Sequence, residues 1–140
     1  MECTLAVFCD YANVSQEGKL NILGVFGEIN PPGLPIALPQ MFLVVSYTAE
    51  PVEYDTVKHI KMAIINADAT VELVSIEQDI TVPRPPRPGL RSNINQIIGL
   101  AGVTFPTAGD YSLEVLVGGE PKRSVPLIVN PPPAQAQGGR

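Results

Sequence analysis

The sequence has little charge. Asp, Glu, Lys and Arg make up 16% of its 140 residues, well below the roughly 25% of a typical soluble domain. The net charge is −5, from 9 basic and 14 acidic residues. A nucleic-acid surface or a polybasic membrane patch needs a basic excess, so we expect neither partner. Because 45% of the residues are apolar, the low charge indicates that another protein chain covers part of the surface.

Long apolar runs are also missing. No stretch approaches the ~20 apolar residues of a membrane span. The N-terminus, MECTLAVFCDY, has an acidic second residue and a short apolar run, which is unlike a signal peptide. On one extended strand, the Cα atoms of the two cysteines, Cys3 and Cys9, would lie about 20 Å apart, beyond disulfide reach. Free thiols fit a reducing compartment, so we expect a cytoplasmic protein.

The 15 prolines and 12 glycines interrupt every stretch in which apolar residues recur with helical spacing. Apolar and polar residues alternate instead, between turn-forming stretches, which is typical of strands. The pattern predicts an all-β fold over residues 1–129, a single antiparallel β-sandwich of about eight strands, immunoglobulin-like or C2-like. An open barrel is the structural alternative. Residues 130–140, NPPPAQAQGGR, are predicted to be a disordered tail rich in Pro, Gln and Gly.

The stretch VFCDYANVSQEGKLNILGVF places Cys9, Asp10 and Tyr11 side by side and predicts a hairpin. SQEG is typical of a type I turn followed by Gly18 in the left-handed region. The strands would cover 4–14 and 20–29. The expected cross-strand pairs are Asn13–Asn21, Tyr11–Leu23, Asp10–Gly24 and Cys9–Val25. Alternation places Leu5, Val7, Cys9 and Tyr11 on one face and Ala6, Phe8 and Ala12 on the other.

Within this hairpin, Cys9 is predicted to pack as a small hydrophobic residue, because nothing near it in sequence would stabilise a thiolate. Asp10 faces Gly24, which has no side chain. An unpaired buried carboxylate is costly, so Asp10 should accept hydrogen bonds from backbone amides or tyrosine hydroxyls, or face water. We prefer this structural role to a role in ligand binding or proton transfer.

The titratable residues elsewhere form no catalytic or metal-binding motif. His59 stands between Lys58 and Lys61, with no metal-ligand spacing and no nucleophile-elbow motif in the chain, and is predicted to be solvated. The carboxylates of AEPVEYD and NADAT could serve a calcium site in a β-sandwich, but the ordered spacing of a calcium loop is missing. We therefore predict no catalytic residue, no metal site and no cofactor.

Two later segments carry structural signals. PRPPRPGL has the PxxP spacing of an SH3 ligand, with Arg84 and Arg87 as candidate partner contacts. A stiff connection between strands is the simpler interpretation. FPTAGDY is typical of the corner that leads into a late strand of immunoglobulin-like sandwiches, where the tyrosine hydroxyl, here of Tyr111, bonds to a nearby backbone group.

Two long segments carry a family resemblance. CDYANVSQEGKLNILGVFGEI and FPTAGDYSLEVLVGGEPKRSVPL resemble a family of small bacterial proteins that share a domain of unknown function, and the pattern runs from about Leu5 to Val129. The resemblance implies a bacterial protein with a compact β-sandwich. It implies no activity, because no catalytic or ligand-binding residues are established for that family.

The leading functional hypothesis is a non-catalytic protein-binding or assembly module, with a homo-oligomer as one form of it. LNILGVF, MFLVVSY and NQIIGLAGV are apolar on both faces, whereas a two-sheet sandwich needs apolar residues only on its inner faces. An alternative is a small-ligand-binding protein or an enzyme, with a pocket near Asp10, Tyr11 and the loop 30–39. A third hypothesis is a calcium-assisted C2-like binding domain.

Overall fold

A computed structural model describes residues 1–133. These residues form eleven strands and one short 3-10 turn, Pro51–Glu53. The strands are β1 (Glu2–Val14), β2 (Leu20–Phe26), β3 (Glu28–Ile29), β4 (Ile36–Leu38), β5 (Met41–Ala49), β6 (Val57–Ile65), β7 (Glu72–Thr81), β8 (Ser92–Leu100), β9 (Val103–Phe105), β10 (Gly109–Val117) and β11 (Glu120–Val129). From residue 134 onward, the predicted tail lies outside the described residues. The described part contains no helix with the length and apolarity needed to cross a membrane.

The strands build a β-sandwich. Sheet I has the order β2-β1-β5-β8 and sheet II the order β3-β11-β10-β6-β7, while β4 and β9 pair separately. Neighbouring strands are antiparallel except for the short parallel pair of β3 and β11. The predicted all-β sandwich is confirmed, and β3, β4 and β9 are short additions to eight longer strands. The sheets stay separate, with two edge strands each, so the barrel alternative is wrong.

The main core lies between the two sheets. Sheet I contributes Phe8, Leu43 and Tyr47, and sheet II contributes Met62 and Leu113, all almost completely buried. Each of these residues belongs to an alternating series on its strand, because successive side chains of a strand point to opposite faces of the sheet. Burial of this apolar surface provides the main favourable contribution to folding.

The first hairpin has the predicted register. Asn13 pairs with Asn21, Tyr11 with Leu23, and Cys9 with Val25. Gly18 has a φ of 83°, and its amide donates a hydrogen bond to the Ser15 carbonyl at 2.9 Å, which closes the turn.

The second strand is shorter than predicted. It ends at Phe26 instead of continuing to residue 29, and Glu28–Ile29 forms β3 in the other sheet, parallel to β11. Ile29 is buried in the main core. The chain thus crosses from sheet I to sheet II at Gly27, because this move lets Ile29 bury its side chain.

A second apolar cluster lies outside the main core. Its buried members are Cys9, Ala12 and Val44, and the partly buried side chains Leu5, Val7, Leu20, Ile22, Phe42 and Ile97 pack against them. Ala12 thus packs in the same cluster as Cys9, although strict alternation places the two residues on opposite faces of β1. Between them along β1, Asp10 lies opposite Gly24, which has a φ of 71°.

This cluster explains why MFLVVSY is apolar on both faces. β5 is an inner strand of sheet I. Its residues Leu43 and Val45 face the main core, whereas Val44 belongs to the second cluster and has no exposed surface. Much of the apolar surface that the sequence suggested was left for a partner is thus covered by the chain itself.

The turn before β10 contains the hydrogen bond expected of Tyr111. The Tyr111 hydroxyl donates to the Thr107 carbonyl at 2.8 Å. The Tyr111 ring is buried and packs edge-on against Phe105, with ring centroids 5.2 Å apart. The bond joins the turn to the core and satisfies the polar end of a buried aromatic side chain.

Candidate functional site

Exposed apolar side chains are concentrated on the hairpin of β1 and β2. Leu23 is 68% exposed and Val25 is 60% exposed, and Tyr11 and Val14 are about half exposed. Single exposed apolar residues are common on protein surfaces, but a group of them on one element marks a candidate interaction site. Within residues 1–133, the exposed apolar side chains of sheet I are therefore concentrated on this hairpin rather than spread over its whole outer face.

The edge strands differ in charge. β2 is an edge of sheet I, and its sequence LNILGVF has no charged residue. β7, an edge of sheet II, carries Glu72, Glu77 and Asp79, and the other edge, β3, has only two residues. Charged or very short edge strands prevent pairing with another chain. Both edge strands of sheet II are protected in one of these ways. The edge strand β2 of sheet I, in contrast, carries no charged residue.

The second edge of sheet I, β8, is also uncharged, with the sequence SNINQIIGL. Its large side chains Ile94, Ile97 and Ile98 are nevertheless partly buried against the two clusters. β2 is therefore the edge that combines free backbone groups with strongly exposed apolar side chains.

Asp10 lines a surface hollow of about 390 Å³. A Cβ atom on Gly24 would overlap the Asp10 carboxylate, so the glycine provides the space that the carboxylate occupies. The remaining lining residues are Val25, Phe26, Glu28, Ile29, Leu38, Gln40 and Met41. The hollow thus combines apolar walls with two carboxylates.

The Asp10 carboxylate accepts no hydrogen bond from any residue in 1–133, and the residue is exposed. The expected hydrogen bonds from backbone amides or tyrosine hydroxyls are absent in this part of the chain, and Asp10 faces water, which was the other expectation. The second carboxylate, Glu28, accepts a hydrogen bond from the Asn130 side-chain amide at 3.0 Å. Both carboxylates remain accessible from the hollow.

The predicted pocket near Asp10 and Tyr11 is only partly correct. Tyr11 is not among the residues that line the hollow, and its ring packs edge-on against Phe42, with centroids 5.6 Å apart. Of the loop 30–39, only Leu38 lines the hollow. Asp10 and Tyr11 are neighbours in sequence but do not form one site.

Most cations of the described residues are paired with a carboxylate. The pairs are Lys58–Glu53, Lys61–Glu72, Arg84–Asp55, Arg91–Glu50 and Lys122–Glu2, and Arg123 donates to the Thr4 carbonyl. Within residues 1–133, the side chains of Lys19 and Arg87 make neither an ion pair nor a hydrogen bond. Lys19 directly precedes β2, and Arg87 lies in the proline-rich connection.

The two arginines of PRPPRPGL thus have different surroundings. Arg84 pairs with Asp55, and its guanidinium lies 5.5 Å from the centre of the Tyr54 ring. Arg87 is exposed. The Arg84–Asp55 ion pair thus joins the proline-rich connection to the loop before β6.

His59 is exposed, as expected, but it is not simply solvated. Its Nδ1 atom lies 2.9 Å from Asp79 and its Nε2 atom 2.8 Å from Glu77. These hydrogen bonds, first that of Asp79 and then that of Glu77, raise the pKa of His59 above its ordinary value. The arrangement depends on the register of β6 and β7, which pairs His59 with Asp79, so sequence reasoning missed it.

The loop carboxylates considered for calcium are engaged within the chain. Glu53 contacts the Met1 amine and Lys58, and the bond from the Met1 amine is the main cause that lowers its pKa to about 2. Asp68 accepts a hydrogen bond from the Thr70 hydroxyl, which lowers its pKa. Across the described part of the chain, no three His, Cys, Asp or Glu side chains are grouped so that they could hold a metal ion.

Comparison with known proteins gives a family and nothing further. Residues 4–130 match the model of a family described as "Family of unknown function (DUF6941)". No curated protein and no solved structure matches the chain.

Proposed function

The chain belongs to this family of unknown function, and from that premise we propose that it is a non-catalytic assembly module in which one copy binds another through the edge of β2. The observation that carries the proposal is an uncharged edge strand whose side chains Leu23 and Val25 are mostly exposed. An edge strand offers unpaired backbone N–H and C=O groups to a second strand, and exposed apolar side chains add buried area.

The charge distribution supports this choice of surface. Two copies with a net charge of −5 each repel one another over most of their surface. An interface therefore forms most easily where acidic side chains are lacking, and LNILGVF has none. The acidic edge β7 is unsuitable for the same reason.

We place this module in the bacterial cytoplasm. Cys3 and Cys9 are both free thiols, with Cys9 buried, and unpaired cysteines are typical of proteins in reducing compartments. The bacterial origin rests on the family resemblance of the two long sequence motifs.

The proposal is tested by placing a charge on the edge. Leu23→Lys and Val25→Lys should each convert the associated protein to a monomer in light scattering, because an unpaired lysine in an apolar interface is costly. Val52→Lys is the matched control, since Val52 is 88% exposed and lies in the 3-10 turn instead of on β2. A loss of association with Val52→Lys as well, or with none of the three variants, contradicts the proposal.

A small-ligand-binding protein is the second candidate, and the hollow beside Asp10 supports it. Its apolar walls and unpaired carboxylate suit a cationic ligand with an apolar body. Titration of the protein with 1-aminohexane, followed by NMR, should then shift the amides around Asp10, and Asp10→Asn should remove the shifts. Shifts that persist in Asp10→Asn contradict this second function.

A further inference from the structure

We propose that two copies pair antiparallel along β2, about a two-fold axis near Leu23, and that Lys19 of each copy enters the hollow beside Asp10 and Glu28 of the other. This inference rests on the self-association proposed above and adds its register and its charged contact. The second copy thereby contributes a residue to a site that one chain leaves incomplete.

The sequence of β2 is suited to pairing with itself. Leu23 is the central residue of Leu20–Phe26. A two-fold axis at Leu23 therefore brings the whole strand opposite itself, because symmetric antiparallel pairing aligns residues at equal distances on either side of the axis. Leu20 then lies opposite Phe26, and no charged residue faces another inside the paired segment.

The same register determines what meets at the ends of the strand. Lys19 is four residues before Leu23, and Gly27 is four residues after it. Lys19 of the second copy therefore arrives opposite Gly27, next to Glu28, at the rim of the hollow that Asp10 lines. By symmetry the contact occurs twice.

The chemistry of both partners fits this contact. Lys19 is exposed and has no carboxylate partner among residues 1–133, and Asp10 has no hydrogen-bond donor there. A lysine buries its aliphatic stem along apolar surface while its ammonium group reaches polar atoms. The hollow has this composition, with walls that include Phe26, Leu38 and Met41.

The contact also counteracts the repulsion between two acidic chains. Exposed ion pairs add little stability on their own, but complementary charges at a rim select the partner and the register. Here the charges flank an uncharged strand, with a cation before it and an anion after it. Parallel pairing would instead place Lys19 beside Lys19 and Glu28 beside Glu28.

Charge reversal tests the contact. Lys19→Glu alone and Glu28→Lys alone should each raise the dissociation constant of the dimer about tenfold, because each places like charges together at both ends. An equimolar mixture of the two variants should associate more tightly than either variant alone, since one end of the mixed dimer keeps the native contact and the other joins opposite charges at positions 19 and 28. Asp10→Lys mixed with Lys19→Glu gives a second, independent combination.

The controls separate this inference from the proposed function. Arg87→Glu reverses the other cation whose side chain makes neither an ion pair nor a hydrogen bond within residues 1–133, and it should leave the dissociation constant unchanged. Thermal melting of each single variant shows whether it remains folded. A dimer that is insensitive to the reversals, or mixtures that do not recover, overturns the Lys19 contact but leaves self-association standing. A native chain that stays monomeric overturns both.

Discussion

Gly24 lies so close to Asp10 that a Cβ atom on the glycine would overlap the Asp10 carboxylate. The glycine also has a φ of 71°, which side-chain-bearing residues rarely adopt. This single position therefore leaves the space that the Asp10 carboxylate occupies in the hollow, with a backbone conformation that favours glycine. The contact between these two residues thus involves both the backbone conformation of the hairpin and the hollow on its surface.

Gly24→Ala should lower the free energy of unfolding by about 3 kcal/mol, because the alanine adds a clash to backbone strain. Gly119→Ala is the matched control. Gly119 has a similar φ of 82°, but a Cβ atom added there would have no other atom within 4 Å, so strain alone should cost about 1 kcal/mol. Urea unfolding measures both, and equal losses would contradict the clash. Asp10→Ala combined with Gly24→Ala should recover part of the difference, because it removes the carboxylate but keeps the Cβ atom of residue 10, which lies 3.0 Å from the added Cβ atom.

Tyr111→Phe should lower the free energy of unfolding by about 1 kcal/mol, because it removes the hydrogen bond to the Thr107 carbonyl. Tyr11→Phe provides the comparison, since Tyr11 is half exposed and its hydroxyl makes no hydrogen bond within residues 1–133. It should change stability by much less. Two equal changes in urea unfolding would show that the Tyr111 bond does not stabilise the turn.

His59 should titrate above its ordinary pKa of 6.5 in an NMR experiment on the ring protons. Because the folded pKa is raised, the stability that His59 contributes is complete below the unfolded pKa and is lost as pH rises through the folded pKa. Asp79→Asn should lower the folded pKa, whereas Asp68→Asn, in the turn after β6, should not. A native titration at or below 6.5 would contradict the geometry.

The two thiols should differ in reactivity. Cys9 has no exposed surface and Cys3 is partly exposed, and burial raises the pKa of both. In Cys3→Ser, which keeps Cys9, a thiol reagent should react only after denaturant is added. In Cys9→Ser, which keeps Cys3, it should react measurably faster with the folded protein. Rapid labelling of Cys9 in the native state would mean that the second cluster is open to solvent.

Local signals predicted the hairpin well. SQEG and Gly18 determine the turn, and the turn determines the pairs from Cys9–Val25 to Asn13–Asn21. Likewise, Tyr111 and Thr107 are four residues apart, so their hydrogen bond follows from one local segment. Where neighbours in sequence are also neighbours in space, composition and turn chemistry were sufficient to predict the contact.

Features that depend on distant segments were missed. The transfer of Ile29 to the other sheet requires β11, about 100 residues later in the chain. The carboxylates around His59 require the register of β6 and β7. The candidate site shows the same division, because Asp10 opposite Gly24 and a wall from the loop 30–39, which Leu38 provides, were predicted, whereas the wall from Met41 comes from β5.

Self-association of the native chain is the central claim, and sedimentation equilibrium over a wide concentration range tests it most directly. The chain has a mass of 15.0 kDa. The account predicts that the weight-average mass rises with concentration toward twice that value, and that Leu23→Lys keeps it at the mass of one chain. A native mass that stays at 15.0 kDa at every concentration would contradict the account.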